Sequence, residues 1–346
     1  MPPSEHKRIL VVRTDRIGDV VLATPLIRAI RKQLPDAYLA AMVRPYTKDI
    51  LLLNPHLNEI IVDDPEGQHR GSEGFWNQTA NLRLHKFDTA LVLLPKSRLS
   101  GMLFLAGIRT RVSVETRLDH ILTFTKTVTR NKYIPLRHEA DYCLDLGRRI
   151  DIRDDGLAVE VFLSDEEKVK GLRVLESRGF RPGMRLIGLS PGSGRSAPNW
   201  KAERYAELAE LLLRRDDIQI LAMGNSSEAG LVSVITRAEP ARVIGIARNA
   251  LRADMAMMSH CSVLVSSSTG PMHIAAGLKV PTVSLFCPLP ACSPTLWGPR
   301  GNESETILPD ENFCQRRCPG DPHICRFEGG IHPRRVADSV LRMLRK

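Results

Sequence analysis

The sequence predicts an α/β chain of two Rossmann-like domains with a cleft between them, and three observations carry that expectation. Continuous apolar runs at residues 8–13 and 185–189 each lead through a short loop into a periodic helix, as strands covered on both faces do. The strand–turn–helix pattern starts afresh after residues 151–163, which read as a crossover between domains. At 346 residues the chain is long for a single hydrophobic core. The boundary is expected near 155, giving domains 1–155 and 156–346.

The first half opens with Arg8-Ile-Leu-Val-Val-Arg13 as a strand. A loop, Thr14-Asp-Arg-Ile-Gly-Asp19, follows it. Residues 20–33 form one helix whose apolar face carries Leu22, Leu26, Ile27 and Ile30. Residues 38–43 are the next strand, completing a βαβ unit with a short first turn. Further strands fall at 59–62, 88–94 and 111–114, and helices at 98–106 and 139–150. Residues 64–81 are polar and contain glycine, so they are expected to form a long loop.

In the second half, Ser164 with Glu167 three residues on is a capping box that opens a helix over 164–178. A strand at 185–189 runs into Ser190-Pro-Gly-Ser-Gly-Arg-Ser196, a loop of glycines and hydroxyls with one arginine that suits a phosphate. Helices are expected at 202–214, 228–237 and 253–260, and strands at 218–223 and 282–286. Between them lies Val263-Leu-Val-Ser-Ser-Ser-Thr-Gly-Pro-Met-His-Ile-Ala-Ala-Gly277. It reads as a buried strand, a small-residue turn and a helix opening at Pro271, where the missing N–H costs nothing. Ser268 or Thr269 is expected to cap that helix, and its dipole favours an anion, with His273 adding a donor. The last helix, 333–345, is basic and amphipathic. It suits an anionic membrane surface, although docking on its own domain is the commoner use of such a helix.

Composition narrows the function. Hydrophobic residues make up 43% and charged residues 25%, as in ordinary soluble proteins. No apolar run approaches the roughly 18 residues that span a bilayer, and the N-terminal residues lack a signal peptide's apolar segment. A cytoplasmic location is expected. The net charge of +10 favours an anionic partner, but with 5% aromatics and no basic–aromatic interleaving a nucleic-acid surface is not expected. Seven cysteines without secretory context do not suggest a disulfide framework. Cys314, Cys318 and Cys325, with His323 nearby, have the density of a metal site, but their spacing does not match paired zinc knuckles, so ordinary thiols are expected. The dinucleotide glycine fingerprint and the Walker motif are absent, which disfavours a nicotinamide oxidoreductase or a P-loop enzyme.

Two phosphate-binding loops on one domain suit a diphosphate, and a base on the other suits attack on a group that the diphosphate activates. Asp19 is the candidate base, and on the residues alone Asp15 competes with it. The chain contains no Asp-x-Asp pair of the kind that holds a metal in such a cleft. Arg195, Lys201, His273, backbone N–H groups or helix ends would then neutralise the diphosphate.

Three motifs in register sharpen this reading. Val12-Arg-Thr-Asp-Arg-Ile-Gly-Asp-Val-Val-Leu-Ala-Thr-Pro-Leu26 resembles the opening motif of the ADP-heptose:lipopolysaccharide heptosyltransferases, glycosyltransferase family 9. Residues 190–200, ending in Asn199 and Trp200, resemble its central donor loop, and residues 268–276 its C-terminal donor motif. The resemblance covers almost the whole chain. It implies a GT-B fold, with a C-terminal donor domain and an N-terminal acceptor domain. It also implies inverting, metal-independent transfer of a heptose from ADP-heptose to an anionic lipopolysaccharide inner-core acceptor. Asp19 matches the catalytic aspartate, with Arg16 and Gly18 on the acceptor side. Ser193 matches a hydroxyl at the phosphates; Thr269, Gly270 and His273 match the diphosphate-holding residues, and Glu228 falls near an acidic residue that contacts the nucleoside. Two positions depart from the pattern. Ser268 stands where the family usually has Asp, and Pro198 where it usually has Lys.

The expected protein is therefore a cytoplasmic glycosyltransferase, peripheral on the inner membrane, with a nucleotide sugar as substrate and no cofactor. Two rival readings are a same-fold transferase using another nucleotide sugar and a non-catalytic nucleotide-sugar binding module.

Overall fold

The computed structural model describes residues 7–131, 134–194, 197–247 and 250–345. The chain divides into two compact units, Met1–Glu160 and Val161–Lys346. In the first, the elements run β1 (Arg8–Val12), α1 (Ile17–Leu22), α2 (Thr24–Gln33), β2 (Tyr38–Val43), β3 (Glu59–Val62), α3 (Gly71–Leu84), β4 (Thr89–Val92), α4 (Ser97–Leu105), β5 (Thr110–Val114), α5 (Leu118–Leu122), β6 (Lys126–Val128) and α6 (Glu139–Arg148). In the second they run α7 (Asp165–Ser177), β7 (Arg185–Ser190), α8 (Ala202–Leu212), β8 (Ile218–Gly224), α9 (Ala229–Thr236), β9 (Val243–Ala247), α10 (Leu251–Met258), β10 (Val263–Ser267), α11 (Gly270–Gly277), β11 (Thr282–Leu285), α12 (Pro294–Trp297), β12 (Ser304–Ile307), α13 (Glu311–Arg317) and α14 (Pro333–Met343).

Each unit is built on one six-stranded parallel sheet. The orders are β3-β2-β1-β4-β5-β6 and β12-β11-β10-β7-β8-β9. Counting strands within each unit, both read 3-2-1-4-5-6 from one edge. The winding therefore reverses between β1 and β4 and again between β7 and β10, where open α/β sheets hold their ligands. Leu10 of β1 pairs with both Ala40 and Ala90, and Val265 of β10 with both Leu189 and Val283. These central strands are covered on both faces, which is why they read as unbroken apolar runs. Leu10, Met42, Leu82, Phe87 and Met102 anchor one core. Ile187, Tyr205, Leu208, Val265 and Val336 anchor the other.

The differences from the sequence reading have local causes. The single helix expected over 20–33 is two, α1 and α2, meeting at Ala23. Pro25 has no N–H to continue the ladder, and the Thr24 hydroxyl donates to Val21 O at 2.7 Å, closing the first segment. The loop expected at 64–81 instead contains most of α3. This helix turns polar groups inward and so lacks an apolar stripe: Gln78 Nε2 donates to Val62 O at 2.9 Å, and Thr79 donates to Phe75 O. Strands β6, β9 and β12 are three sheet edges that the pattern did not signal. They are three to five residues long, and in β12 only the last residue, Ile307, is apolar and buried. The capping box at Ser164 and Glu167 forms as expected.

The crossover is held by a charge. Arg28 of α2 is buried, and its guanidinium reaches Asp155 at 2.9 Å and the Ala158 carbonyl at 2.5 Å. The final helix docks on its own unit, with Val336, Ala337 and Val340 buried and α8 as its neighbour.

Helices α7 and α10 approach closely at Gly171. A Cβ there would meet the Ala256 backbone carbonyl carbon at 2.7 Å. Gly171→Ala should therefore cost about 1–3 kcal/mol of stability by overpacking, read as a lower urea midpoint. An unchanged midpoint would mean that the two helices separate freely.

Candidate functional site

In the first unit, β1 ends at Val12 and delivers Arg13 into a buried nest of carboxylates. Arg13 lies 2.9 Å from Asp15, 2.5 Å from Asp19 and 3.2 Å from Glu139. Glu139 also receives Arg130, from the stretch before α6. Burial works against the charge of Arg13, but the surrounding carboxylates outweigh it and hold its pKa up. Asp15 behaves in the opposite way. Burial, reinforced by Asp19 and Glu139 and only partly offset by Arg13, lifts its carboxyl to about 7. Its backbone carbonyl accepts from the Tyr46 hydroxyl at 2.8 Å, fixing the loop. Asp19 sits in the first turn of α1 and keeps a partly exposed carboxylate. Arg16 is the exposed N-cap of that helix, and Gly18 lies in its first turn.

In the second unit, three loops leave the sheet side by side, after the adjacent strands β10, β7 and β8. The loops after β7 and β8 line an open pocket of about 450 Å³ that brings together Ser193, Lys201 and Glu228 with Asn199, Glu203 and Arg326. Gly194 takes a left-handed φ of 52° in this loop. Gly192 is required for a different reason. A Cβ there would lie 1.8 Å from Glu228 Oε1, so the carboxylate packs directly on the glycine backbone. Glu228 also accepts from the Asn225 N–H at 3.0 Å, closing a capping box. Lys201 is the N-cap of α8, half exposed, and pairs with Glu328 at 2.6 Å.

Ser268, Thr269, Gly270 and His273 lie together on the turn from β10 into α11, beside that pocket's loop but outside its lining. Thr269 is the N-cap and is buried, as is His273. The expected side-chain cap does not form. The Thr269 hydroxyl turns back to donate to Ser267 O at 3.3 Å, and the first turn of α11 carries no side-chain cap. Pro271 has no N–H, and the Met272 N–H turns back to Thr269 O at 3.1 Å, so the helix end offers an anion chiefly its dipole. Arg195 lies outside the described residues.

Two residues in this unit were not anticipated. Tyr205 is fully buried, and its hydroxyl donates to Asn199 Oδ1 at 2.9 Å and accepts from the Ser267 N–H. Asn199 in turn donates to Pro191 O at 2.6 Å, so one phenol joins the loop after β7 to the end of β10. Burial pushes that phenol's pKa up, and it stays protonated. Arg326 adds a cation to the pocket, and its only sequence signal was its place beside Cys325.

Cys314, Cys318 and Cys325 converge with Cys287 around a small void closed by Leu289, Phe313 and Phe327. Cys292 hydrogen-bonds to the Cys287 sulfur and lowers its pKa. All seven cysteines are free thiols. Among the described residues, no group of three or more His, Cys, Asp or Glu side chains is arranged to hold a metal ion.

The model of glycosyltransferase family 9 (heptosyltransferase) matches residues 77–319. The chain belongs to glycosyltransferase family 9. Lipopolysaccharide heptosyltransferase 2 of Escherichia coli is 26% identical to this chain over 87% of each. The family 9 glycosyl transferase of Veillonella parvula superposes with a TM-score of 0.84 at 21% identity, over 98% of this chain and 97% of that one. The E. coli ADP-heptose lps heptosyltransferase II superposes with a TM-score of 0.76 at 21% identity, over 97% and 98%. The fold of this family 9 glycosyltransferase is thus GT-B, as the motifs implied. Its two Rossmann-like units carry the acidic loop and the anion-ready loops respectively.

Two outcomes follow from this geometry. Tyr205→Phe leaves a buried amide oxygen and a buried N–H unmatched and should cost about 1–3 kcal/mol, read by urea denaturation. A neutral change would mean that the phenol does not join the two segments. The Asp15 carboxyl titrates at about 7 in the fold against an ordinary value of 3.8. The folded chain therefore holds the extra proton between those values, and stability falls as pH rises through that window. Asp15→Asn should remove this slope and gain on the wild type, by on the order of a few kcal/mol, as pH rises across it. A difference between variant and wild type that is flat with pH would assign the slope elsewhere.

Proposed function

We propose that this protein transfers a heptose from ADP-heptose to an anionic lipopolysaccharide inner-core acceptor, with inversion and without a metal ion, from the cytoplasmic face of the inner membrane. The observation that carries the reading is the pairing of loops in the second unit. There the uncapped N-terminus of α11 stands beside a pocket holding Ser193, Lys201, Glu228 and Arg326. That arrangement suits a nucleoside diphosphate, with the helix dipole and cations on the charge that develops as the sugar–phosphate bond breaks. The second unit would hold the donor and the first the acceptor.

Asp19 is the general base in this reading. It takes the acceptor hydroxyl's proton as the oxygen bonds to the anomeric carbon, and ADP leaves from the opposite face of the sugar. Arg13 fixes the carboxylate, and Asp15, poised near neutrality, carries the proton that the crowded cluster needs to balance its charge. Arg16 and Gly18 flank Asp19 on the acceptor side. Ser193, Thr269, Gly270 and His273 serve the diphosphate and Glu228 the nucleoside, with Lys201 and Arg195 replacing the lysine that Pro198 displaces. Family membership and the named activity of the E. coli relative support heptose as the sugar. Ser268 favours a second reading, a different nucleotide sugar, because a carboxylate that would grip sugar hydroxyls is missing there.

A thermal-shift panel of ADP-, UDP- and GDP-sugars separates the two readings. A donor at about a hundred times its dissociation constant stabilises the fold by roughly 2.7 kcal/mol. Selective stabilisation by ADP-heptose, unchanged by EDTA, is expected; preference for another sugar would move the protein to the second reading. Asp19→Asn should lower turnover by about 10²–10⁴-fold while leaving the donor shift intact. Equal turnover would remove Asp19 as the base, and a wild type that binds donor without turnover would be a binding module.

A further inference from the structure

Helix α5 is built inside out. Leu118, Ile121 and Leu122 stand at i, i+3 and i+4 and therefore share one face, and that face is the exposed one, at 73%, 61% and 67%. The polar residues between them point inward. His120 is 1% exposed, with Nδ1 2.8 Å from Glu115 O, and Asp119 bonds to Ser100 and Arg117. A surface helix normally does the reverse. Phe124, just beyond the helix, is 80% exposed.

The apolar surface continues onto the neighbouring helix. Arg111 lies over the Phe104 ring at 5.2 Å and also donates to Thr123 O, so Phe104 at the end of α4 joins the Phe124 side of the patch. Exposed cations, unspent among the described residues, flank it: Arg109 beyond the end of α4 and Lys126 beyond Phe124, with Arg83 of α3 reaching the Leu105 carbonyl at 2.6 Å. The exposed acidic charge in the same stretch is Glu115, together with the partly exposed Asp119, which is spent on Arg117 at 3.1 Å. A contiguous apolar patch rimmed by polar groups marks an interaction surface.

We propose that this face, formed by α5, Phe124 and the end of α4, is where the protein docks on an anionic lipid bilayer. The apolar side chains would enter the headgroup–acyl boundary to about 5–10 Å, and the arginines and lysines would sit at the level of the lipid phosphates. Charge selects this occupant over a second copy of the chain. A two-fold interface would set this patch, with Arg109 and Lys126, against the same cationic patch of the partner, and like charges facing each other oppose association. The chain as a whole carries +10, which adds attraction to an anionic leaflet. Among the described residues, no helix is long and apolar enough to cross a membrane. The proposal rests on the glycolipid-acceptor reading only for the kind of membrane met.

The test is co-sedimentation of the full-length protein with acceptor-free vesicles of phosphatidylglycerol and phosphatidylethanolamine, with phosphatidylcholine vesicles as the neutral comparison. The wild type should bind the anionic vesicles, more weakly at high salt. L122S/F124S should lower the partition coefficient at least about tenfold, and R109E/K126E should remove the preference for anionic lipid; thermal melts check that both variants fold. Transfer to a water-soluble, deacylated acceptor is measured in parallel and should be the same in all three proteins. Wild-type binding that both variants retain would overturn the docking face, as would a wild type that ignores vesicles. Loss of a dimer in L122S/F124S with vesicle binding unchanged would assign the face to a second copy. Failure of the soluble transfer with vesicle binding intact would overturn the proposed reaction and leave the docking face standing.

Discussion

The first unit depends on one buried guanidinium. Arg13 follows the central strand directly and is 4% exposed, a place where an unpaired charge would be prohibitive. It is tolerated because Asp15, Asp19 and Glu139 close around it, from the loop after β1, from α1 and from α6. Removing one partner would leave the others as uncompensated charge. The cluster therefore fixes where α1 begins and how its aspartate is presented, while Glu139 reaches on to Arg130. Burial, reinforced by the neighbouring Asp19 and Glu139 and only partly offset by Arg13, keeps Asp15 protonated further up the pH scale than an exposed aspartate.

Much of this was legible in the residues. Central strands of a doubly covered sheet have no polar face, so β1, β7 and β10 announced themselves as apolar runs. The second unit's first helix was marked by its capping box. The motifs gave the two-unit fold because each sits where a strand meets a helix, and such corners must be built from small residues, prolines and caps whatever the rest of the sequence does. What was hidden lacks a periodic signature. In α3, Gln78 is buried by bonding to a strand carbonyl, so the helix hides its inner face in polar letters. The break at Ala23 required weighing one proline against a strong apolar stripe, and the stripe masked it.

The candidate site was legible in its loops and not in its supports. Ser193, Lys201 and Glu228 do share a pocket, but that Glu228 lies against the bare backbone of Gly192 is a three-dimensional fact with no trace in spacing. Capping at α11 was misread for a similar reason. A hydroxyl at the N-cap position normally serves the helix, and only the geometry shows that Thr269 serves the strand end instead. Arg326 comes from a loop far along the chain, and contacts between distant segments are invisible to local pattern.

The hydroxyl of Tyr205 has a thermodynamic consequence. By gripping Asn199 and the Ser267 amide together, it ties the loop after β7, which lines the pocket, to the end of β10. The link between Asn199 and the end of β10 is made when the chain folds, so a ligand entering the pocket under the proposed function would find these two segments already joined. Less conformational entropy of the protein would then be lost on association, because these segments are ordered before the ligand arrives.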